Sequence, residues 1–165
     1  MEIELNFIQP HEYQDQNLIS DLAYIHAACF ERPWDENVFN SILKNQSNIM
    51  GIIAIDKIKH QRIAFVLAQI VLEQMDIISI AVSIPYRQKS LAKQMMQKIM
   101  AKALSQHVQY CYLEVAINNY PAQKLYKSLG FVQIGLRPNY YKDVSQTMID
   151  ALVFKYTLDE IKKMN

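Results

Sequence analysis

A glutamate and a tyrosine twelve residues apart carry the chemistry that this sequence could do. Glu114 closes a β-rich run, and Tyr126 falls on the helical stretch that follows it, within LEVAINNYPAQKLYKSLGF (113–131). A carboxylate at a strand end can accept a proton, directly or through water, and a positioned phenol can donate one to a leaving group. Leaving neighbouring elements, the two could face one cleft. Each also has a plain structural alternative: a solvent-facing glutamate, and a tyrosine that packs in the core. Asn119 stands where the helix opens and suits an N-cap, a role compatible with touching a ligand.

A second cluster lies upstream, in the turn Arg87-Gln88-Lys89-Ser90-Leu91-Ala92 and the following Lys93. A helix start offers unpaired backbone N–H groups and the positive end of the dipole, which suits phosphate. Arg87, Lys89 and Lys93 add charge beside it, so a pyrophosphate-bearing cofactor would fit; a solvated basic helix start is the alternative. A third feature is the pair Tyr140-Tyr141 after Arg137-Pro138-Asn139. In an expected loop it offers apolar area and hydroxyls for a peptide, or it simply covers the core. Pro33-Trp34 could form the opposite wall, or cap and pack.

These residues need a frame, and the hydrophobic pattern supplies one. Residues 2–8 alternate as a half-buried strand, with Ile3, Leu5 and Phe7 on one face. Residues 15–29 read as a helix with Leu18, Leu22, Ile25 and Cys29 aligned, and 35–44 as a second with Asp35 as N-cap. Apolar runs at 49–56 and 62–72, joined by a polar turn around Lys57–Gln61, and at 75–83 read as strands. The clearest helix follows: Leu91, Met95, Ile99 and Ala103 recur every four residues, widened by Ala92, Met96, Met100 and Leu104. Residues 109–115 read as a strand, 119–129 as a helix, and Gly130 as its stop with φ > 0. Residues 131–137 and 147–157 close the chain as strands around a loop at Asn139–Gln146, and LDEIKKMN follows as a short helix or tail. The order β α α β β β α β α β β implies a mixed sheet with helices on both faces. In such sheets ligands sit beyond the carboxyl ends of diverging strands, here 75–83 and 109–115.

Composition bounds the rest. The chain has 165 residues, which suits a single domain over 1–165. With 17 basic against 16 acidic residues the formal net charge is +1, against a nucleic-acid surface as the main business. The N-terminus resembles no secretory signal, and no apolar stretch reaches membrane-spanning length, so a cytoplasmic protein with reduced thiols at Cys29 and Cys111 is expected. The four histidines, His11, His26, His60 and His107, are scattered without metal-ligand spacing; no metal is expected, and His26 reads as a structural residue on its helix.

Taken in order, CFERPWDENVF, QIVLE, Ile80-Ala81-Val82, RQKSLA, the 113–131 segment, RPNYY and Asp150-Ala151-Leu152-Val153 resemble the GNAT superfamily of N-acetyltransferases over nearly the whole chain. Within it, the chain is similar to the branch that acetylates the N-terminal alanine of a small-subunit ribosomal protein. The resemblance implies a mostly antiparallel seven-stranded sheet whose central parallel strands splay, with acetyl-CoA as co-substrate between them. It implies pantetheine against the backbone of Ile80, Ala81 and Val82, and pyrophosphate on the amides of Gln88, Lys89, Ser90, Leu91, Ala92 and Lys93. It gives Asn119 a cofactor contact, Glu114 the role of general base and Tyr126 that of general acid. It makes the segment bearing Tyr140 and Tyr141 a cover over the peptide N-terminus. Two positions depart from the pattern: Ser90 stands where glycine is usual, and Ala116 where an arginine is usual. A same-fold enzyme acting on a small amine or lysine side chain, and a non-catalytic CoA-binding module, are the alternatives.

Overall fold

Alternating apolar residues at the start of the chain form strand β1 (Ile3–Phe7), and Asp15 opens helix α1 (Gln16–Ala27) by accepting from the Asn17 amide at 2.9 Å. The computed structural model describes residues 2–44 and 48–158; apart from Leu158, the expected C-terminal helix or tail lies outside them. Helix α2 (Glu36–Lys44) starts as expected at Asp35, whose carboxylate accepts from Val38 N at 3.0 Å. Then come β2 (Ile49–Asp56), β3 (Gln61–Val71), β4 (Gln74–Val82), α3 (Leu91–Ser105), β5 (Tyr110–Ala116), α4 (Tyr120–Ser128), β6 (Val132–Lys142) and β7 (Met148–Thr157). Two short 3-10 turns, Pro10–Gln14 and Ile84–Tyr86, were not legible as elements in the sequence.

The seven strands hydrogen-bond in the order β1-β2-β3-β4-β5-β7-β6. Pairing is antiparallel from β1 to β3 and from β5 through β7 to β6, and parallel between β4 and β5. Among the described residues the parallel ladder covers only Gln74–Asp76 against Tyr110–Tyr112, although β4 runs on to Val82 and β5 to Ala116. The edge of β5 from Leu113 onward is therefore unladdered on that side, while its other edge stays paired with β7 through Ala116.

Two compact units make up the fold. The first takes the described residues up to Gln69 together with Ile78–Ile99. Its core packs Leu18, Ile19, Leu22 and Ile25 of α1 and Phe39 and Leu43 of α2 on Ile49, Ile53, Phe65 and Leu67 of the sheet. Burying each large apolar side chain stabilises by about 1.5–3 kcal/mol before ordering costs. The second unit takes Ile70–Ile77 and the described residues from Met100 onward. Its core gathers Tyr126, Phe131, Phe154 and Tyr156, with ring centroids 5.3–6.3 Å apart. Gly130 adopts φ +95° after α4, and a Cβ there would meet the Tyr156 ring at 3.0 Å, so both backbone and space require glycine.

One boundary differs from expectation. The segment RPNYY is not a loop: β6 runs from Val132 to Lys142, and Tyr140 and Tyr141 lie on it. The register slips between Arg137, opposite Ala151, and Tyr141, opposite Ile149. Three residues on β6 thus face Asp150 alone, a bulge that absorbs Pro138 and the positive φ of Asn139. Proline and asparagine read as a loop in sequence because a bulge tolerates the same residues.

Candidate functional site

Strand alternation sorts the second unit's residues by face. Cys111, Leu113 and Val115 of β5 are buried, whereas Tyr112, Glu114 and Ala116 on the other face are only partly covered. Across the ladders, Ala116 pairs with Ala151, and Ala151 with Arg137, so these three share one rung and one face with Glu114. Two alanines on that rung leave room for the arginine to lean over β7. Arg137 Nη2 lies 3.2 Å from Glu114 Oε1. Its guanidinium also sits 5.5 Å from the centre of the Tyr140 ring. With side-chain exposures of 56% and 27%, the ion pair is worth at most about 1 kcal/mol, so its effect is placement more than stability. Sequence reading missed this partner. Arg137 and Glu114 are far apart in the chain, and only the order β5-β7-β6 joins them.

Tyr141 is half-buried, and its hydroxyl lies 3.4 Å from the Glu114 carbonyl. Burial, then the neighbouring Tyr140 and Glu114, push its pKa up to about 12. The expected exposed aromatic pair is thus divided: Tyr140 is open to solvent at 47%, and Tyr141 is tucked against β5.

Tyr126 projects from α4 and packs against Phe131 and Phe154. Phe154 pairs with Leu113, so this ring lies on the face of β5 opposite the Glu114 side chain, and the two groups do not share one face. Burial above all, then Tyr141 and Cys111, push the Tyr126 pKa well above the ordinary phenol value, so the hydroxyl keeps its proton at neutral pH. Among the described residues it has no hydrogen-bond partner, yet the one enclosed side-chain polar atom without a partner is Asn40 Oδ1. The Tyr126 hydroxyl is thus held on a buried ring with no hydrogen bond to the described residues.

The β5–α4 turn is held by its own polar groups. Asn119 Oδ1 accepts from Ala122 N at 3.2 Å, the N-cap expected of it, with Pro121 inside the first turn. Buried Gln123 donates through Nε2 to the carbonyls of Ile117 at 2.9 Å and Ala116 at 3.3 Å. That fixes the strand end carrying Glu114 relative to the helix carrying Tyr126.

In the first unit, β4 ends at Val82, whose carbonyl accepts from Arg87 Nε at 3.0 Å and Cys29 Sγ at 3.3 Å. Of the Ile80-Ala81-Val82 backbone, that acceptor is already engaged. The turn beyond it is anchored by buried Tyr86, whose hydroxyl donates to Asp56 Oδ2 at 2.7 Å and holds that carboxyl below its usual range, aided by the amides of Lys59 and Ile58. Gln88 and Ser90 then both take the left-handed region, at φ +60° and +58°. Ser90 bears a Cβ where its conformation favours glycine, at a cost on the order of 1 kcal/mol. Gln94 N donates to the Ser90 carbonyl at 3.0 Å, so the amides of Leu91, Ala92 and Lys93 precede the first bond of α3. Lys89 reaches back to the Pro85 carbonyl at 3.1 Å. Such a turn, with cations beside leading amides, fits a pyrophosphate.

Trp34 sits over His26, ring centroids 4.9 Å apart and nearly parallel, and its amide donates to His26 Nδ1 at 3.1 Å. Burial lowers the His26 pKa to about 4, so the ring is neutral and can accept. Trp34 also borders an open groove with Tyr24 and Pro33. Both thiols are free, Cys111 buried and Cys29 partly so. Among the described residues no group of His, Cys, Asp or Glu could hold a metal, and no helix is long and apolar enough to cross a membrane.

The sequence profile of the acetyltransferase (GNAT) family matches residues 7–131, and the chain belongs to that family. A Bacillus subtilis protein, provisionally named a [ribosomal protein bS18]-alanine N-acetyltransferase, is 31% identical over 137 residues, 82% of this chain and 87% of its own. The [ribosomal protein bS18]-alanine N-acetyltransferase of Salmonella typhimurium is 28% identical over 121 residues, covering 73% and 78%. In fold, the crystal structure of the ribosomal-protein-S18-alanine N-acetyltransferase from Escherichia coli superposes with a TM-score of 0.82 at 23% identity, covering 95% of this chain and 94% of that one. Arabidopsis thaliana NAA60 in complex with acetyl-CoA follows at 0.79 and 22%, covering 96% and 99%.

Proposed function

We propose that this chain transfers acetyl from acetyl-CoA to the α-amino group of a protein N-terminus, with the alanine of a small-subunit ribosomal protein as acceptor. The observation that carries the reading lies along β5. Its edge is unladdered beyond Tyr112, Glu114 stands on one face, and the proton-bearing hydroxyl of Tyr126, uncommitted to any described residue, belongs to the other. A thioester lying along that edge meets a base and an acid from opposite sides.

The chemistry fits those groups. The neutral amine attacks the thioester carbonyl, Glu114 takes the amine proton directly or through water, the C–S bond breaks, and Tyr126 protonates the leaving thiolate. No covalent enzyme intermediate is needed, and buried Cys111 has its thiol pushed up by burial and by Asp76, away from nucleophilic use. An α-amine has a pKa near 8, so about a tenth is neutral at pH 7, against far less than a hundredth of a lysine near 10.4. A carboxylate suits the easier acceptor. For the co-substrate, the Gln88–Lys93 turn takes the pyrophosphate, the Ile80-Ala81-Val82 strand flanks the pantetheine, and Asn119 adds a contact through its side-chain amide. In the second unit Tyr140 and Tyr141 contact the peptide; in the first, Trp34 is the aromatic offered to it. A cytoplasmic site of action follows from such a partner. The names and coverage of the relatives support the acceptor.

Incubation with acetyl-CoA and an alanine-starting peptide, beside an N-blocked copy, tests this. Mass spectrometry should place the acetyl group on the α-nitrogen of the open peptide alone. Equal thiol release from both peptides, or acetylation only of polyamines or lysine side chains, overturns the α-amine assignment.

A further inference from the structure

We propose that Arg137 is a positioning residue that offsets the charge of Glu114, so that the acceptor amine is received in its neutral form. This rests on the acetyl-transfer reading and adds to it how the amine arrives.

The ion pair joins Arg137 Nη2 to Glu114 Oε1 at 3.2 Å. The guanidinium is steadied from its other side by the Tyr140 ring at 5.5 Å. Its backbone is pinned too: Arg137 pairs with Ala151 at the edge of the bulge, and Asn139 N donates to Asp150 Oδ1 at 2.8 Å just beyond. The cation comes from two strands away, on the rung of Ala116, and stands over the base while that position carries only a methyl group.

The electrostatic consequence follows. A lone carboxylate attracts an ammonium group, the protonated form that cannot attack. A guanidinium beside it cancels that attraction and stays charged at every working pH. The other charged or titratable groups on this side are Asp76 of β4, Tyr110 and Tyr112 of β5, Lys155 of β7, which pairs with Tyr112, and Tyr140 and Tyr141 on its own strand, while Cys111 belongs to the opposite, buried face. Burial raises the Asp76 carboxyl and Arg137 opposes that shift, while burial keeps Tyr141 and Cys111 protonated. The phenol and thiol therefore add no charge at neutral pH; Lys155 is held over the Tyr110 ring at 4.0 Å, and Arg137 is the cation paired with Glu114.

The test compares wild type, Arg137→Gln and Arg137→Lys. For each, kcat is followed against pH with acetyl-CoA and an alanine-starting peptide, after thermal unfolding confirms that all three fold. The rising limb of kcat reports the amine in the enzyme–substrate complex. Removing a nearby positive charge raises that amine's pKa, so R137Q should shift the limb upward by about half a pH unit or more, and R137K should return it toward wild type. Calorimetry gives a readout without turnover. Wild-type peptide affinity should rise as the N-terminus deprotonates, and R137Q should lose that rise. Coincident limbs and equal pH dependence of binding in wild type and R137Q overturn the proposal while acetyl transfer stands. An equally large shift in R137K also overturns it, since charge would not be the cause. A wild-type protein that neither binds nor acetylates an amine overturns the acetyl-transfer reading, and this inference with it.

Discussion

His26 in the first unit and Tyr126 in the second are both ionisable rings pushed by burial toward their neutral forms. They differ in what their polar atoms already do. His26 Nδ1 accepts the Trp34 amide, and its ring stacks with Phe30, Trp34 and Phe65 and meets Phe39 edge-on. The Tyr126 hydroxyl, on an equally buried ring, has no hydrogen-bond partner among the described residues. The same displacement of pKa thus marks a finished structural contact in one place and an uncommitted proton in the other. A shifted pKa signals chemistry only where the atom that titrates is still available.

That contrast can be broken by substitution. Glu114→Gln removes the proposed acceptor of the amine proton and should lower kcat/KM on the order of a hundred- to ten-thousand-fold, with folding stability changed by no more than about 1 kcal/mol. Steady-state kinetics beside urea unfolding checks both halves. Tyr126→Phe should cost about a hundred-fold in kcat and leave stability within about 0.5 kcal/mol, because no hydrogen bond is lost. A large loss of stability with unchanged turnover would place Tyr126 with His26 on the structural side.

His26 should show the opposite behaviour. Its pKa is about 4 in the folded protein, against about 6.5 when unfolded. The depressed value favours the neutral ring, so its contribution is fully present above about pH 6.5 and is lost as pH falls toward 4, up to about 3 kcal/mol in all. A pH series of thermal unfolding for wild type and His26→Leu should diverge above that window and converge below it. The smallest effect belongs to Ser90→Gly, which should stabilise by at most about 1 kcal/mol through relief of the left-handed strain. The same change tests whether a relaxed turn binds acetyl-CoA more tightly, by calorimetric titration.

Much of the frame was legible because it is local. The four-residue recurrence of Leu91, Met95, Ile99 and Ala103 gave α3, all four buried as expected. Asp15, Asp35, Asn119 and Gly130 announced helix ends through capping chemistry that depends on a few adjacent residues. What escaped is non-local. The Arg137–Glu114 pair needs the β5-β7-β6 order, which no spacing encodes. The opposite-face arrival of Glu114 and Tyr126 depends on which side of β5 the helix packs. The extension of β6 through RPNYY failed to show because Pro138 and Asn139 are as much at home in a bulge as in a loop.

The slip in β6 has a wider meaning. Ladder contacts resume on both sides of it, at Arg137–Ala151 and at Tyr141–Ile149, with Asn139 held to Asp150 between them. A segment spliced in or trimmed between those two rungs would alter what overhangs Glu114 while the sheet on either side keeps its alignment. The bulge is thereby a place where the cover over Glu114 can change length without moving the register of β6 on β7 at either side.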